Sequence, residues 1–153
     1  MRSRGERGST LLLFPAALLI MLALAAMAVD SAIAFLAQRE LVNATAAAAN
    51  DAATEALSDR AFYQGDRIEL SPGAVETVAE DRVRRLVDPA RHHDLTVHAD
   101  AVPPAAPGCA WTVSVSASSR VDELFGRGLP GSTRTVAVKA RSTASPRQGN
   151  GSC

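Results

Sequence analysis

Three histidines in this 153-residue chain are spaced closely enough to suggest a metal-binding site. His92, His93 and His98 fall within one short segment, and imidazole nitrogen is a common zinc ligand. A structural zinc site needs four ligands, and no cysteine or cluster of carboxylates is spaced to complete the set. We therefore expect three solvated histidines, with no metal ion and no other cofactor.

Two further patterns could support catalysis or phosphate binding. The serines at 114, 116, 118 and 119 lie on or just after a predicted strand, without the Gly-x-Ser-x-Gly turn that exposes a nucleophile. The segment Gly126–Gly131 lacks the Lys-Ser/Thr ending and the following helix of a phosphate-binding loop, and it predicts a hairpin turn instead. The sequence therefore predicts no catalytic residues, no small-molecule substrate and no enzyme.

The elements that position any site begin with an uncharged apolar run, Leu11–Val29. A helix needs roughly 20 apolar residues to cross the hydrocarbon layer of a bilayer. Arg2, Arg4 and Arg7 precede the run, and the positive-inside rule places such a head in the cytoplasm. We expect a cytoplasmic head over residues 1–10, one membrane span, and the rest of the chain outside the membrane.

A cleaved secretory signal peptide is the alternative, because small-x-small sites occur at 23–25 and 26–28. The apolar run is longer than the usual core of a signal peptide. Residues 30–57 also contain neither glycine nor proline, so we expect the helix to continue past the run without a break. We favour a retained anchor. In the alternative, the chain is a secreted binding module.

Composition limits what lies beyond the span. The formal net charge is zero, from 16 basic and 16 acidic residues, which argues against nucleic-acid binding. About 120 residues remain after the span, enough for one small domain. Aromatic residues make up only 4% of the chain, so the core is expected to consist mainly of valine, leucine and alanine.

The predicted helical extension over residues 30–58 is rich in alanine, the best helix former. Small residues recur along it at spacings of three and four, which predicts a narrow stripe on one face. Such a stripe permits close approach by another element. That element is either a helix of a partner subunit or the chain's own C-terminal domain. The stripe consists of Leu41, Ala44, Ala48, Ala52 and Ala56.

A small α+β domain is predicted over residues 59–141. Ser71 and Pro72 form the start signal of a second helix, which Pro89 ends. Three segments that follow alternate apolar and polar residues, which is typical of an antiparallel sheet with one solvated face. The predicted inward residues are Leu95, Val97, Ala99, Ala101, Trp111, Val113, Val115, Ala117, Val136, Val138 and Ala140. The tail over residues 142–153 has the composition of disorder.

Four pieces of the N-terminal third occur in a characteristic order: Arg7-Gly8-Ser9, Phe14-Pro15, Val29-Asp30, and Gln38–Ala44 followed by an alanine run. This order resembles the TadE/TadG-like family of Flp (tight adherence) pilus assembly proteins, over residues 7 to about 57. The resemblance implies a pilin-like structural component in the cell membrane of a bacterium. Its implied partners are the membrane and other pilin-like or assembly subunits.

The resemblance also implies a processing site between Gly8 and Ser9. Many members carry a glutamate five residues after the glycine, and this chain has Leu13 there. In pilins that glutamate is linked to processing and to subunit registration. The family's aspartate after Asn-Ala-Ala is displaced as well, since position 46 is Ala46 and the nearest acid is Asp51.

The two cysteines, Cys109 and Cys153, would both lie outside the membrane, where disulfides persist. Antiparallel pairing of the second and third strands is expected to bring Cys109 near Ser142. The remaining tail is long enough to fold back, so an intramolecular bond is geometrically available. We favour that bond over two free thiols or a bond between chains.

Overall fold

The computed structural model describes residues 9–57, 70–106, 109–126 and 135–146. Within them the chain forms helices α1 (Ser9–Glu55) and α2 (Pro72–Leu86) and strands β1 (His92–Val102), β2 (Thr112–Asp122) and β3 (Thr135–Ala144). The predicted α+β architecture is confirmed, with a long apolar N-terminal helix, a short second helix and a three-stranded antiparallel sheet. Gly8, Cys153 and most of the predicted tail lie outside the described residues.

Helix α1 is one continuous element of 47 residues, about 70 Å long at the usual rise per residue. Its bounds differ from the predicted 11–57 by two residues at each end. Pro15 lies inside its second turn without ending it. Leu57 forms an isolated antiparallel bridge with Leu70. The bridge brings the end of α1 close to the start of α2.

Helix α2 follows the predicted start signal. Pro72 occupies its first turn, where a missing N–H costs nothing, although the Ser71 side chain makes no capping hydrogen bond. The helix ends at Leu86, before Pro89, because a residue that precedes proline disfavours helical backbone. Two i,i+4 ion pairs form on its solvated side, Glu80–Arg84 at 2.8 Å and Asp81–Arg85 at 2.9 Å.

The strands pair in the order β1-β2-β3, with both neighbours antiparallel. A β-bulge between His93 and Thr96 interrupts the β1 register, and Asp94 there has a φ of 52°. Because side chains alternate faces, His92 and Leu95 can both point inward only if one extra residue lies between them. The bulge thus extends β1 three residues before the predicted Leu95. Strand β3 also extends into the segment predicted to be a disordered tail, because Ser142–Ala144 pair with β2 and belong to the sheet.

Both helices pack on the same face of the sheet, α1 against β2 and β3, and α2 against β1. The stripe of α1 lies in this core, with no member more than 2% exposed. The structure therefore shows the intramolecular alternative, and the stripe is not a free surface for a partner helix. Small side chains allow the α1 backbone to approach the sheet closely. The buried stripe residues are Leu41, Ala44, Ala48, Ala52 and Ala56.

We predict that Ala48→Leu and Ala52→Leu each lower the free energy of unfolding by about 1–3 kcal/mol, because the extra methylenes force strain into a close-packed interior. Asn43→Leu is the matched control, since Asn43 is exposed on the same helix. Chemical unfolding of the full chain in detergent micelles measures the difference. Equal stability of the Ala48 variant and the Asn43 variant would contradict the packing described.

Candidate functional site

The most distinctive surface of the molecule is the N-terminal half of α1. Its large apolar side chains are exposed by 42–75%, and no part of its most apolar window is buried in the chain. Within the described residues, α1 is the single helix long and apolar enough to cross a membrane, a property that signal sequences share. The exposed apolar side chains are Leu13, Phe14, Leu18, Leu19, Ile20, Met21, Leu22, Leu24, Met27 and Val29.

Asp30 marks the point on α1 where the apolar run ends and the folded domain begins. Its carboxylate accepts hydrogen bonds from three successive backbone N–H groups in the segment after β2. Leu124 donates to Oδ1 at 2.8 Å, Phe125 donates to Oδ1 at 3.1 Å, and Gly126 donates to Oδ2 at 3.0 Å. Hydrogen bonds to a charged acceptor are about twice as strong as neutral ones. The loop that leaves β2 is therefore fixed to the end of the run.

A second polar cluster lies ten residues further along α1, at Glu40. Oε1 accepts a hydrogen bond from the backbone N–H of Asp88 at 2.8 Å, and Oε2 accepts one from Arg91 Nη1 at 2.6 Å. The same Oε2 lies 3.7 Å from Nε2 of His92. Glu40 therefore joins α1 to the connection between α2 and β1. The sequence did not indicate this role, because all of its partners are about fifty residues away.

His92 corrects the expectation that the histidines are solvated. It is 4% exposed, because the bulge turns its ring inward, and Nδ1 lies 2.7 Å from the Ser119 hydroxyl. Among the described residues Nε2 has no hydrogen-bond partner. Burial lowers the pKa of His92 below its usual 6.5, because desolvation of the imidazolium outweighs the attraction of Glu40.

Ser119, His92 and Glu40 thus stand in the order of a serine–histidine–acid relay. Ser119 is only 4% exposed, so no substrate reaches its hydroxyl. The 3.7 Å between Nε2 and the carboxylate also exceeds hydrogen-bond distance. The three residues form an internal contact between α1, β1 and β2, and the sequence reasoning placed neither Ser119 nor His92 in it.

The other two histidines lie on the solvated side of the sheet. His93 Nε2 is 3.7 Å from Asp122, and His98 Nε2 is 3.3 Å from Asp100. Across the described ranges, no three histidine, cysteine, aspartate or glutamate residues are grouped to hold a metal ion. An open groove of about 460 Å³ runs over this outer face. Its polar lining comes from Thr96, His98, Ser116, Ser118, Lys139 and Arg141.

The remaining predicted site residues are divided between described and undescribed parts of the chain. Ser9 is the first residue of α1, while Gly8 lies outside the described residues. The stripe from Leu41 to Ala56 lies in the core, as described above. The structure assigns no free thiol to Cys109. Since Cys153 lies outside the described residues, the pairing of the two cysteines stays a prediction.

We predict that the domain loses stability as the pH falls below about 6.5. The unfolded chain binds a proton on His92 at its ordinary pKa, whereas the folded chain resists that proton, so the slope of unfolding free energy against pH is positive. One proton contributes at most about 1.4 kcal/mol per pH unit. Unfolding between pH 7.5 and 5.5 measures the slope, which His92→Gln should reduce.

His98→Gln is the matched control substitution, because His98 is exposed on the outer face of the sheet and its replacement leaves the buried His92 ring in place. Parallel pH profiles for the parent chain and His92→Gln would contradict the assignment.

No protein-family model matches this chain, and no curated protein sequence or solved structure matches it either. The resemblance to TadE/TadG-like proteins therefore remains a prediction from the order of short motifs. The dominant feature of the molecule is helix α1, whose N-terminal half is apolar and exposed and whose C-terminal half packs into the domain.

Proposed function

We propose that the chain is a membrane-anchored, pilin-like structural component of Flp/Tad-type pilus assembly or secretion. The N-terminal half of α1 spans the bilayer once, with the arginine-rich head in the cytoplasm and the sheet domain outside. One observation carries this proposal: the exposed apolar half of α1 continues without a break into the half that packs against the sheet. A long helix that serves first as an anchor and then as the spine of a small domain is the plan of a pilin.

The size of the exposed run supports a lipid environment. A contiguous apolar surface of this length is unusual on a soluble monomer and marks contact with lipid or another protein. Each large side chain gains about 1.5–3 kcal/mol when it is removed from water. About ten such side chains together supply far more than a small domain's net stability, so the chain is expected to be associated with a membrane.

Retention of the span is favoured over cleavage by the continuity of α1. Both candidate signal-peptidase sites, 23–25 and 26–28, lie within the helix, where the backbone is hydrogen-bonded. Cleavage after Ala28 would also make Asp30 the second residue of a frayed terminus, although Asp30 holds the loop after β2. The anchor and the domain are thus parts of one element.

The contact surface for neighbouring subunits is proposed on the outward side of α1. Phe35 is 64% exposed, Leu36 56% and Val42 41%, all beyond the apolar run and away from the buried stripe. With the stripe inside the chain, these residues are the apolar part of α1 left for helix packing outside the membrane. In an envelope filament or its base, the same helices would also touch within the bilayer.

We predict that the mature protein keeps the whole apolar run and remains in the membrane fraction after alkaline extraction. If pilin-type processing applies, its mass corresponds to cleavage between Gly8 and Ser9. N-terminal sequencing and intact-mass measurement on fractionated cells decide this. A mature N-terminus near Val29 would instead establish the signal-peptide alternative, a secreted binding module, and overturn the anchor.

A further prediction concerns contacts with neighbouring subunits. A photo-crosslinking residue placed at Val42 should form adducts with a second copy or with another single-span subunit in native membranes. The same residue at Leu86 of α2 is the matched control, because Leu86 is 44% exposed and Val42 41%. Equal yields at the two positions would refute a specific packing face on α1.

A disulfide between Cys109 and Cys153 is proposed to close the domain. The register pairs Val113 with Ala144 and places Val115, instead of Cys109, opposite Ser142. The segment before β2 and the tail after β3 nevertheless leave the sheet at the same end. A bond there would stabilise the domain by roughly 3–4 kcal/mol in the chain-entropy model.

Thiol labelling of the unreduced, unfolded chain tests the bond, beside a non-reducing gel. We expect no labelled cysteine and a monomeric band. Two labelled thiols, or a dimer that disappears on reduction, would show that the intramolecular bond does not form.

A further inference from the structure

We propose that Leu124 and Phe125 insert into the interfacial zone of the bilayer's outer surface and form a second membrane contact beside the span. Leu124 is 63% exposed and Phe125 48%, although both lie in a segment fixed by hydrogen bonds. The inference rests on the proposed anchor and extends it. It assigns a lipid surface as the partner of two apolar side chains that the described residues leave about half exposed or more.

The position of the loop follows from the Asp30 contact. Asp30 is the residue after Val29, where the apolar run ends, so the outer edge of the hydrocarbon layer lies within a turn of it. The backbone N–H groups of Leu124, Phe125 and Gly126 all reach the Asp30 carboxylate. The two apolar side chains are thereby held at the level at which the span leaves the bilayer.

Three backbone donors of the loop are satisfied in the way that contact with a membrane surface requires. An unpaired N–H in an apolar environment costs several kcal/mol, which excludes most loops from contact with lipid. Here one carboxylate accepts from three successive N–H groups, and those groups in turn compensate its charge. The side chains of Leu124 and Phe125 can therefore face lipid without leaving these three backbone donors unpaired.

The opposite end of the sheet supplies a comparison. Val102 at the end of β1 pairs with Thr112 at the start of β2, whereas the loop leaves the other end of β2. An eleven-residue strand is about 35 Å long, so Val102 lies far above the proposed membrane surface. Val102 is 47% exposed, nearly the same as Phe125. The exposed fraction therefore does not distinguish Val102 from Phe125. Their distances from the proposed span do.

The experiment uses the full chain in phosphatidylcholine vesicles, with the single native tryptophan removed as Trp111→Phe. Phe125→Trp, Val102→Trp and Leu19→Trp are then added one at a time as fluorescent reporters. Lipids brominated near the headgroup or near the bilayer centre quench a tryptophan according to its depth. We expect Phe125→Trp to be quenched several-fold more than Val102→Trp, and more by the shallow bromines than by the deep ones. Leu19→Trp should show the reverse depth preference.

Asp30→Ala tests the cause, because it removes the acceptor of all three N–H groups. Added to Phe125→Trp it should lower the quenching several-fold, while the quenching of Leu19→Trp stays unchanged. If Phe125→Trp behaves like Val102→Trp while Leu19→Trp is quenched, the loop contact is overturned and the anchor stands. If Leu19→Trp is itself unquenched, the proposed anchor fails, and the loop contact fails with it.

Discussion

The close contact between the alanine face of α1 and the inner face of the sheet is the interaction on which the domain depends. With 4% aromatic residues, the chain has few large side chains with which to fill a core. It compensates by bringing backbones together: alanines 48, 49, 52 and 53 are all at most 2% exposed. Shortening the distance between layers maintains interior packing density where bulky groups are lacking. The interface therefore tolerates larger side chains poorly, because closely packed layers leave no space for an added methylene.

A stripe of small residues does not by itself fix how far α1 is shifted along its axis relative to the sheet. Polar contacts fix that position. They occur at spaced positions along the helix, each to a different element. Gln38 exchanges two hydrogen bonds with the backbone of Lys139, as a neighbouring strand would, and so pairs with exposed groups of the β3 edge. Glu40 binds the connection before β1, and Asp51 forms an ion pair with Arg82 of α2. A shift of α1 by one turn would break all of these contacts together.

Local patterns predicted the elements well, and long-range pairing explains what they missed. The period-two alternation identified all three strands, and Pro72 placed the start of α2 to the residue. The bulge at Asp94 was not evident, since it depends on a requirement to turn His92 toward Ser119, a residue 27 positions away. The stripe was ambiguous for the same reason. Small residues indicate that something approaches closely, but they do not indicate which element does so.

Asp30 likewise entered the sequence analysis only as part of the Val29-Asp30 motif at the end of the apolar run, without any long-range partner. Its three donors come from a loop about 95 residues later in the chain. That contact fixes the loop after β2 to α1 at the residue where the apolar run ends. A domain joined to a membrane anchor by a flexible linker could tilt freely. Here the proposed anchor and the part of α1 that packs against the sheet are one helix, and the loop after β2 is fixed to that helix at Asp30. In the proposed membrane-anchored state, any tilt of the span would be transmitted to the sheet. For the proposed pilin-like subunit, which would pack side by side with copies or relatives, a fixed angle between membrane and domain would make repeated contacts possible.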